Sequence, residues 1–419
     1  MLVISSSKNV IRTYLTLTLF NTLSASLIWG INTLFLLNAG LSVTQAFIAN
    51  AFFTVGMVVF EIPTGVIADS RGRQLSYILG LITLAVSTFA YLLMWLTHGP
   101  FIGWIISSLA LGLGFTFFSG ATDAWLVDAL KFTKFKGQLE SVFGKAQVVG
   151  GIAMLGGSVA GGLIAQFTNI GVPYIVRVGL LLVTFVIALI YMKDIGFTPE
   201  RGESYRHEVK QLLHASMKYG LRNPPVRRMM LSAPFISGAS IYVFYALQPY
   251  LLGLYGDHTA YWIAGLTASI VAASRIAGGL TAPFVHYLFK RTTTIMAMGV
   301  FVSAIALLAM GLVANFYVVL GLIVIWGLIT AAVTPVRQAY MNNLIPSKQR
   351  ATVLSFDSLL GSTGGVISQP LLGKAADAWG YGSSYLIAGV FQMGALPFLL
   401  LASYRHDSKD MEVLLEKEV

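Results

Sequence analysis

Twelve runs of mostly apolar residues follow one another along the chain, separated by short polar breaks. They lie near 11–38, 43–69, 75–97, 101–130, 139–166, 171–193, 227–254, 258–287, 292–312, 315–344, 351–376 and 381–404. About 20 such residues in a helix cross the ~30 Å hydrocarbon core of a bilayer. Helices and closed barrels are the structures that satisfy their backbone polar groups there. The spacing therefore predicts an all-α polytopic membrane protein with twelve transmembrane helices. Composition agrees: charged residues fill 11% of 419 positions and the mean hydropathy is +0.76, whereas a soluble domain carries charge at about a quarter of its positions. With no cysteine, disulfides, thiolate metal sites and a cysteine nucleophile are excluded. The first apolar run is too long for a cleavable signal and lacks a small-residue cleavage site, so it is expected to remain as the first span.

The net charge of +10 could suggest a nucleic-acid partner, but its placement points elsewhere. Of 27 Lys and Arg residues, 22 fall at the two termini or in every second break, including Arg71 and Arg73, Lys131 to Lys136, and eight between Lys193 and Arg228. The alternate breaks, near 39–42, 98–100, 167–170, 255–257, 313–314 and 377–380, hold none. By the positive-inside rule both termini are cytoplasmic, and the basic balance reads as topology with no nucleic acid involved. The longest polar segment, 194–226, separates an N-terminal six-helix bundle (1–193) from a C-terminal one (227–419). Within it Val209, Leu212, Leu213 and Met217 recur at helical spacing among basic residues. That pattern fits a short helix on the cytoplasmic membrane face or a plain solvated linker.

The two halves resemble each other. A slide of 211 positions pairs Gln138 with Gln349, Val142 with Val353, Gly150 with Gly361 and Gly162 with Gly373. Parallel repeats about an axis along the membrane normal are a transporter plan with the solute site near the midplane. After the second span, Gly65-x-x-x-Asp69-x-x-Gly72-Arg73 resembles the loop signature of the major facilitator superfamily. The longer form, from Glu61 and Pro63 through Thr64 to Asp69, looks like a variant of bacterial drug:proton antiporter-like members. Gln74 departs from the usual second basic residue. The resemblance implies the major facilitator fold, two pseudo-symmetric six-helix bundles, and a gating latch. Physically, Gly65 would let another helix approach closely. Asp69 would face the positive N-terminus of a neighbouring helix, which the resemblance suggests is span eleven. Gly72 would permit the turn, and Arg73 would pair with Asp128 at the cytoplasmic end of span four.

Charges inside a bilayer are costly and need a partner or a cavity. Glu61, eight residues before Asp69, lies roughly 12 Å deeper along its helix; it is a candidate for exchanging a proton or meeting a cationic solute. Asp123, Arg275, Arg337 and Asp357 are the other candidates for proton coupling or buried charge, besides Arg177 in span six. Arg337 and Asp357 on adjacent spans reach similar depths and point to a structural pair. Pro63 invites a kink that Thr64 would help to satisfy. Span five carries Gly157, Gly161 and Gly162 in "GGIAMLGGSVAGG", a surface for close packing between the halves. This run also resembles an antiporter signature, with Ser158 where proline is expected. Asn21, Trp29 and Asn32, then Gln147, then Tyr242, Tyr245 and Gln248 are expected to line a mainly aromatic solute cavity.

No phosphate-binding loop, metal-ligand spacing or nucleophile elbow occurs. The chain is thus expected not to be an enzyme and to use no cofactor or metal, leaving an ion gradient as the energy source. The expected partners are a small-molecule substrate, protons and the lipid bilayer. The leading reading is a monomeric, proton-coupled carrier of the bacterial inner membrane, exporting amphiphilic compounds or drugs by alternating access. Uptake of a small metabolite or organic anion, with Arg275 and Arg337 as its partners, is the alternative. A multispan lipid-acting enzyme or receptor is more remote.

Overall fold

A computed structural model of the chain describes residues 6–199, 214, 216–288, 291–346 and 349–404. All regular elements among them are helical. The first are α1 (Ser7–Trp29), α2 (Asn32–Asn38), α3 (Val43–Arg71), α4 (Arg73–Thr97), α5 (Phe101–Thr116), α6 (Ala121–Phe132), α7 (Leu139–Phe167) and α8 (Val172–Tyr191). A π-helical turn (Ser216–Leu221) precedes α9 (Pro224–Tyr255), α10 (Tyr261–Leu288), α11 (Thr292–Leu312), α12 (Phe316–Leu344), α13 (Arg350–Met393) and α14 (Leu396–Tyr404). Of the expected interfacial helix, Val209, Leu212 and Leu213 lie outside the described residues, and Met217 is exposed on the π-helical turn.

Ten stretches are long and apolar enough to cross a membrane, and α1 with α2, bent by 46°, forms an eleventh. One of the ten, Thr352–Ala402, turns back at Gly380, where φ of 82° and ψ of 164° leave the helical region. Reading it as two spans brings the total to twelve, and the chain is a multi-pass integral membrane protein. One local expectation needs correction: the first span is broken after Trp29 rather than continuous, whereas the Gly380 bend falls in the expected break at 377–380.

Local chemistry explains where several helices begin. At α3, Ser42 Oγ accepts the Gln45 N–H at 3.2 Å while Gln45 Oε1 accepts the Ser42 N–H at 3.0 Å, a reciprocal capping box. At α12, Asn315 Oδ1 accepts from the N–H groups of Tyr317 and Val318. Pro63 sits inside α3, where it supplies no N–H. The Thr64 hydroxyl donates to the Phe60 carbonyl at 2.8 Å and the Glu61 carbonyl at 3.1 Å, serving acceptors in the loosened turn.

The helices gather into two compact units, residues 1–208 with 256–269, and 209–255 with 270–419. The first unit holds an aromatic cluster in which Phe35 stacks on Tyr174 at 4.0 Å between centroids, with Tyr91 near-parallel to both and Trp104 edge-on to Phe35 and Tyr91. The start of α10 joins this unit because Gly265 meets Gly162 backbone to backbone and the Ser269 hydroxyl donates to the Leu155 carbonyl at 2.9 Å. The second unit packs around a sulfur-rich aliphatic core of Met229, Met230, Met296, Met341, Val300 and Leu399.

Candidate functional site

The turn from α3 into α4 gathers charged groups of the first unit. Gly72 sits at φ 117°, a conformation that side chains rarely adopt, and a Cβ there would strike the Asp194 carboxylate. Arg73 opens α4 and pairs with Asp69 one turn earlier. The Gln74 N–H donates to Asp194 Oδ1 at 2.9 Å, so the carboxylate occupies the N-terminus of α4, where the helix dipole favours negative charge. Burial pushes the Asp194 carboxyl above the usual carboxylate range, and Asp128 adds to that; N–H groups of Gln74 and Arg73 and the Arg73 guanidinium pull the other way. The Arg73 guanidinium also lies 5.8 Å from the centre of the Phe197 ring.

Two expectations for this turn change. Arg73 finds Asp69 instead of Asp128, because the tight turn at Gly72 brings the two close; the backbone of Asp128 lies beside Gly196 instead. Around Gly65 no described atom of another helix comes within 4 Å of the Cβ position, so it makes no close helix approach among the described residues. Gln74 uses its amide to donate to the carbonyls of Ala188 and Leu189 at 3.1 and 3.3 Å. Sequence reasoning missed Asp194 altogether. Its one signal is being the first acid after the sixth span, beside Lys193.

Two carboxylates of the first unit lie within spans and meet hydroxyls. The Ser119 hydroxyl donates to Glu61 Oε1 at 2.5 Å, and the Tyr14 hydroxyl donates to Asp123 Oδ1 at 2.7 Å. Neither carboxylate has a cation partner among the described residues. Asn32 knits three helices: its amide donates to Asn50 at 2.9 Å and its carbonyl accepts from the Tyr174 hydroxyl at 3.0 Å. Asn21 and Trp29 are half-buried, while Gln147 is exposed. Arg177 is 1% exposed, lies 5.9 Å from the centre of the Phe115 ring, and leaves Nε and Nη2 without hydrogen-bond partners among the described residues.

The glycines of α7 act as contact surfaces. A Cβ on Gly161 would run into the backbone of Leu27 on α1, one on Gly157 would meet Ser26, and one on Gly162 would meet the backbone of Tyr261 and Gly265.

The second unit holds a cavity of about 820 Å³. Arg337 and Asp357 line it as a two-pronged pair, Nη1 to Oδ2 and Nη2 to Oδ1, both at 2.7 Å. Arg337 Nη2 also donates to the Met229 carbonyl at 3.1 Å, and Asp357 is 6% exposed. Arg275 lines the same cavity. Tyr242, Tyr245 and Gln248 do not. Tyr242 is fully buried with its hydroxyl donating to Ser384 at 2.5 Å, Gln248 is buried, and Tyr245 packs edge-on against Phe244. The expectation of aromatic lining gives way for this cavity: α9 buries Tyr242 and Gln248 in the packing of its own unit, while Tyr245 is half-buried.

Comparisons with known proteins give the arrangement its context. A relative from Bacillus subtilis (strain 168), described as the uncharacterized MFS-type transporter YxaM, is 22% identical over 402 residues, covering 92% of this chain and 93% of its own. The multidrug resistance protein MdtG of Serratia proteamaculans (strain 568) is 26% identical over 253 residues, 59% of this chain and 57% of its own. Among solved structures, the nucleoside transporter NupG superposes with a TM-score of 0.77 at 11% identity, covering 94% of this chain and 99% of its own. A bacterial homolog of the human lysosomal transporter Spinster gives 0.71 at 15%, covering 95% and 97%. At such identities the structural likeness speaks for the fold alone. The family model of the Major Facilitator Superfamily matches residues 14–294 and 231–416, nearly the whole chain, and the chain belongs to that family of transporters.

Proposed function

We propose that this transporter is a proton-coupled secondary carrier that exports amphiphilic small molecules, working as a monomer by alternating access between six-helix halves 1–193 and 227–419. The observation that carries the coupling is the placement of Glu61 and Asp123, two in-span carboxylates held by hydroxyls rather than by cations. A carboxylate in a low-dielectric span without a counter-cation is well placed to exchange a proton. The turn at Asp69, Gly72 and Arg73, closed by Asp194, supplies a latch whose ion pair and helix cap can form in one state and open in another. Export is supported by the multidrug resistance name of a partial relative. The basic breaks support cytoplasmic termini, and the bacterial relatives support a bacterial inner-membrane location.

The test is transport by purified protein in proteoliposomes under an imposed pH gradient, with a panel of dyes, antibiotics and metabolites. Solute flux coupled to proton flux is expected, and Glu61→Gln should uncouple the two. Proton movement that persists unchanged in Glu61→Gln removes that residue from the coupling path. A second reading, uptake of an organic anion, draws support from Arg275 in the cavity; the direction of flux under the same gradient separates it from export.

A further inference from the structure

Among the described residues, the cavity of the second unit contains a positive charge without a counterpart. Arg337 and Asp357 neutralise each other through two parallel hydrogen bonds at 2.7 Å. Arg275, from the middle of α10, lines the same space, and its guanidinium makes no ion pair or hydrogen bond among the described residues. Ser237, Ser240, Ser358, Ser362 and the Gln338 side chain also line the cavity, and they make no side-chain hydrogen bond among the described residues. The apolar part of the wall is aliphatic, with Ile236, Ile241, Val300, Val333, Met341 and Leu354, beside further polar residues such as Thr330, Asn342 and Gln392, and no lining residue is aromatic. Its volume of about 820 Å³ is that of a small-molecule site.

These features select a ligand chemistry. A guanidinium within a membrane span and without a counter-charge is unfavourable, and an anionic head would supply both the charge and the acceptors it lacks. Free hydroxyl donors in the same cavity suit the remaining oxygens of such a head. A cationic head would meet an unopposed positive charge. An aliphatic tail would cover the Ile, Val, Leu and Met side chains, while an aromatic ring would find no ring to stack on. We infer that this cavity binds an aliphatic amphiphile carrying one carboxylate or phosphate, with Arg275 anchoring the head. This narrows the proposed solute class, and movement of the bound solute rests on the transport reading.

Binding is tested apart from movement, on purified full-length protein in phospholipid-free detergent, so that lipid head groups cannot compete. Apparent Tm is followed while titrating hexanoate, hexyl phosphate, hexanamide and hexylamine, which share one tail and differ in the head. A saturable stabilisation by hexanoate or hexyl phosphate is expected, with the amide weaker and the amine inactive. Arg275→Gln should weaken the anion by about 10- to 100-fold, the loss of a hydrogen bond to a charged group. Arg275→Lys should retain much of the affinity. Equal binding of the amine, anion binding unchanged in Arg275→Gln, or no saturable anion effect on the wild type would each overturn the inference. Should Arg275→Gln fail to fold, the comparison of four head groups on the wild type decides alone. The same probes in proteoliposomes separate the two readings. Anion binding with no flux of any solute removes the transport reading and leaves the site, whereas flux with anion binding indifferent to Arg275→Gln does the reverse.

Discussion

Substituting the glycines of α7 by alanine should produce effects of opposite sign within two turns of one helix. At Gly161 the added Cβ would lie 2.7 Å from the carbonyl carbon of Leu27 and 3.0 Å from its Cα, and closer still to its carbonyl oxygen. Carbon atoms rest at about 3.5–4.0 Å, and a backbone cannot rotate aside as a side chain can. Helix α1 must therefore retreat by about 1 Å along a contact that also holds the Ser26 hydroxyl bonded to the Ala153 carbonyl at 3.1 Å. Overpacking of this kind costs typically 1–3 kcal/mol, about 1 kcal/mol of which alanine recovers through its helix preference. At Gly156 nothing lies within 4 Å of the new Cβ, so only the preference remains, a gain of roughly 0.5–1 kcal/mol. Gly150→Ala is an intermediate control, its Cβ meeting Thr18 and Thr22 at an ordinary 3.8 Å. Thermal unfolding of the three purified variants, read by size-exclusion monodispersity after heating, should rank Gly156→Ala at or above wild type and Gly161→Ala clearly below. A Gly161→Ala protein as stable as Gly156→Ala would refute the claim that α1 and α7 touch backbone to backbone.

The remaining predictions concern charge. Asp357→Asn leaves the Arg337 guanidinium without its counter-charge and should cost about 3–5 kcal/mol, whereas Arg337→Met with Asp357→Leu should restore most of it; equal melting of single and double variants would argue against the pair. Because burial raises the Asp194 carboxyl, the folded state disfavours its ionised form. The wild type should then lose stability as pH climbs from the ordinary carboxylate range through that raised value, whereas Asp194→Asn, still able to accept the Gln74 N–H, should lack this component. Coincident melting profiles against pH for the two proteins would exclude it. Arg177→Met exchanges a fully buried, under-bonded guanidinium for an apolar side chain of similar reach and should raise the melting temperature, by an amount equivalent to about 1 kcal/mol or more. A lower melting temperature would mean that the guanidinium has a stabilising partner in the folded protein.

The legible features are those that depend on one helix at a time. Apolar run length marks the spans, because the bilayer accepts only segments that satisfy their own backbone. Gly72 reads as a turn and Pro63 as a perturbed helix, since each acts on its own backbone. Arg337 and Asp357 were readable because opposite charges at similar depth on consecutive spans have little choice but to meet. The partner of Arg73 was not, since Asp69 and Asp128 both lay within plausible reach and the sharpness of the Gly72 turn decided between them. Asp194 could not be found because its role depends on where the chain goes after the sixth span, returning to the start of α4. Tyr242 and Gln248 failed as cavity residues for a related reason: an aromatic or amide on a membrane helix faces the core, the lipid or a cavity according to the rotation of that helix, which neighbours set.

By itself, then, the sequence determined a twelve-span helical membrane protein of transporter type and the backbone devices within it, since hydrophobic length and residue conformation are local quantities. Only the tertiary structure decided which charges remain unmatched. It closed Arg337 onto Asp357 and left Arg275 lining a cavity whose apolar side chains are aliphatic, because pairing depends on helix rotation and packing that no single span encodes.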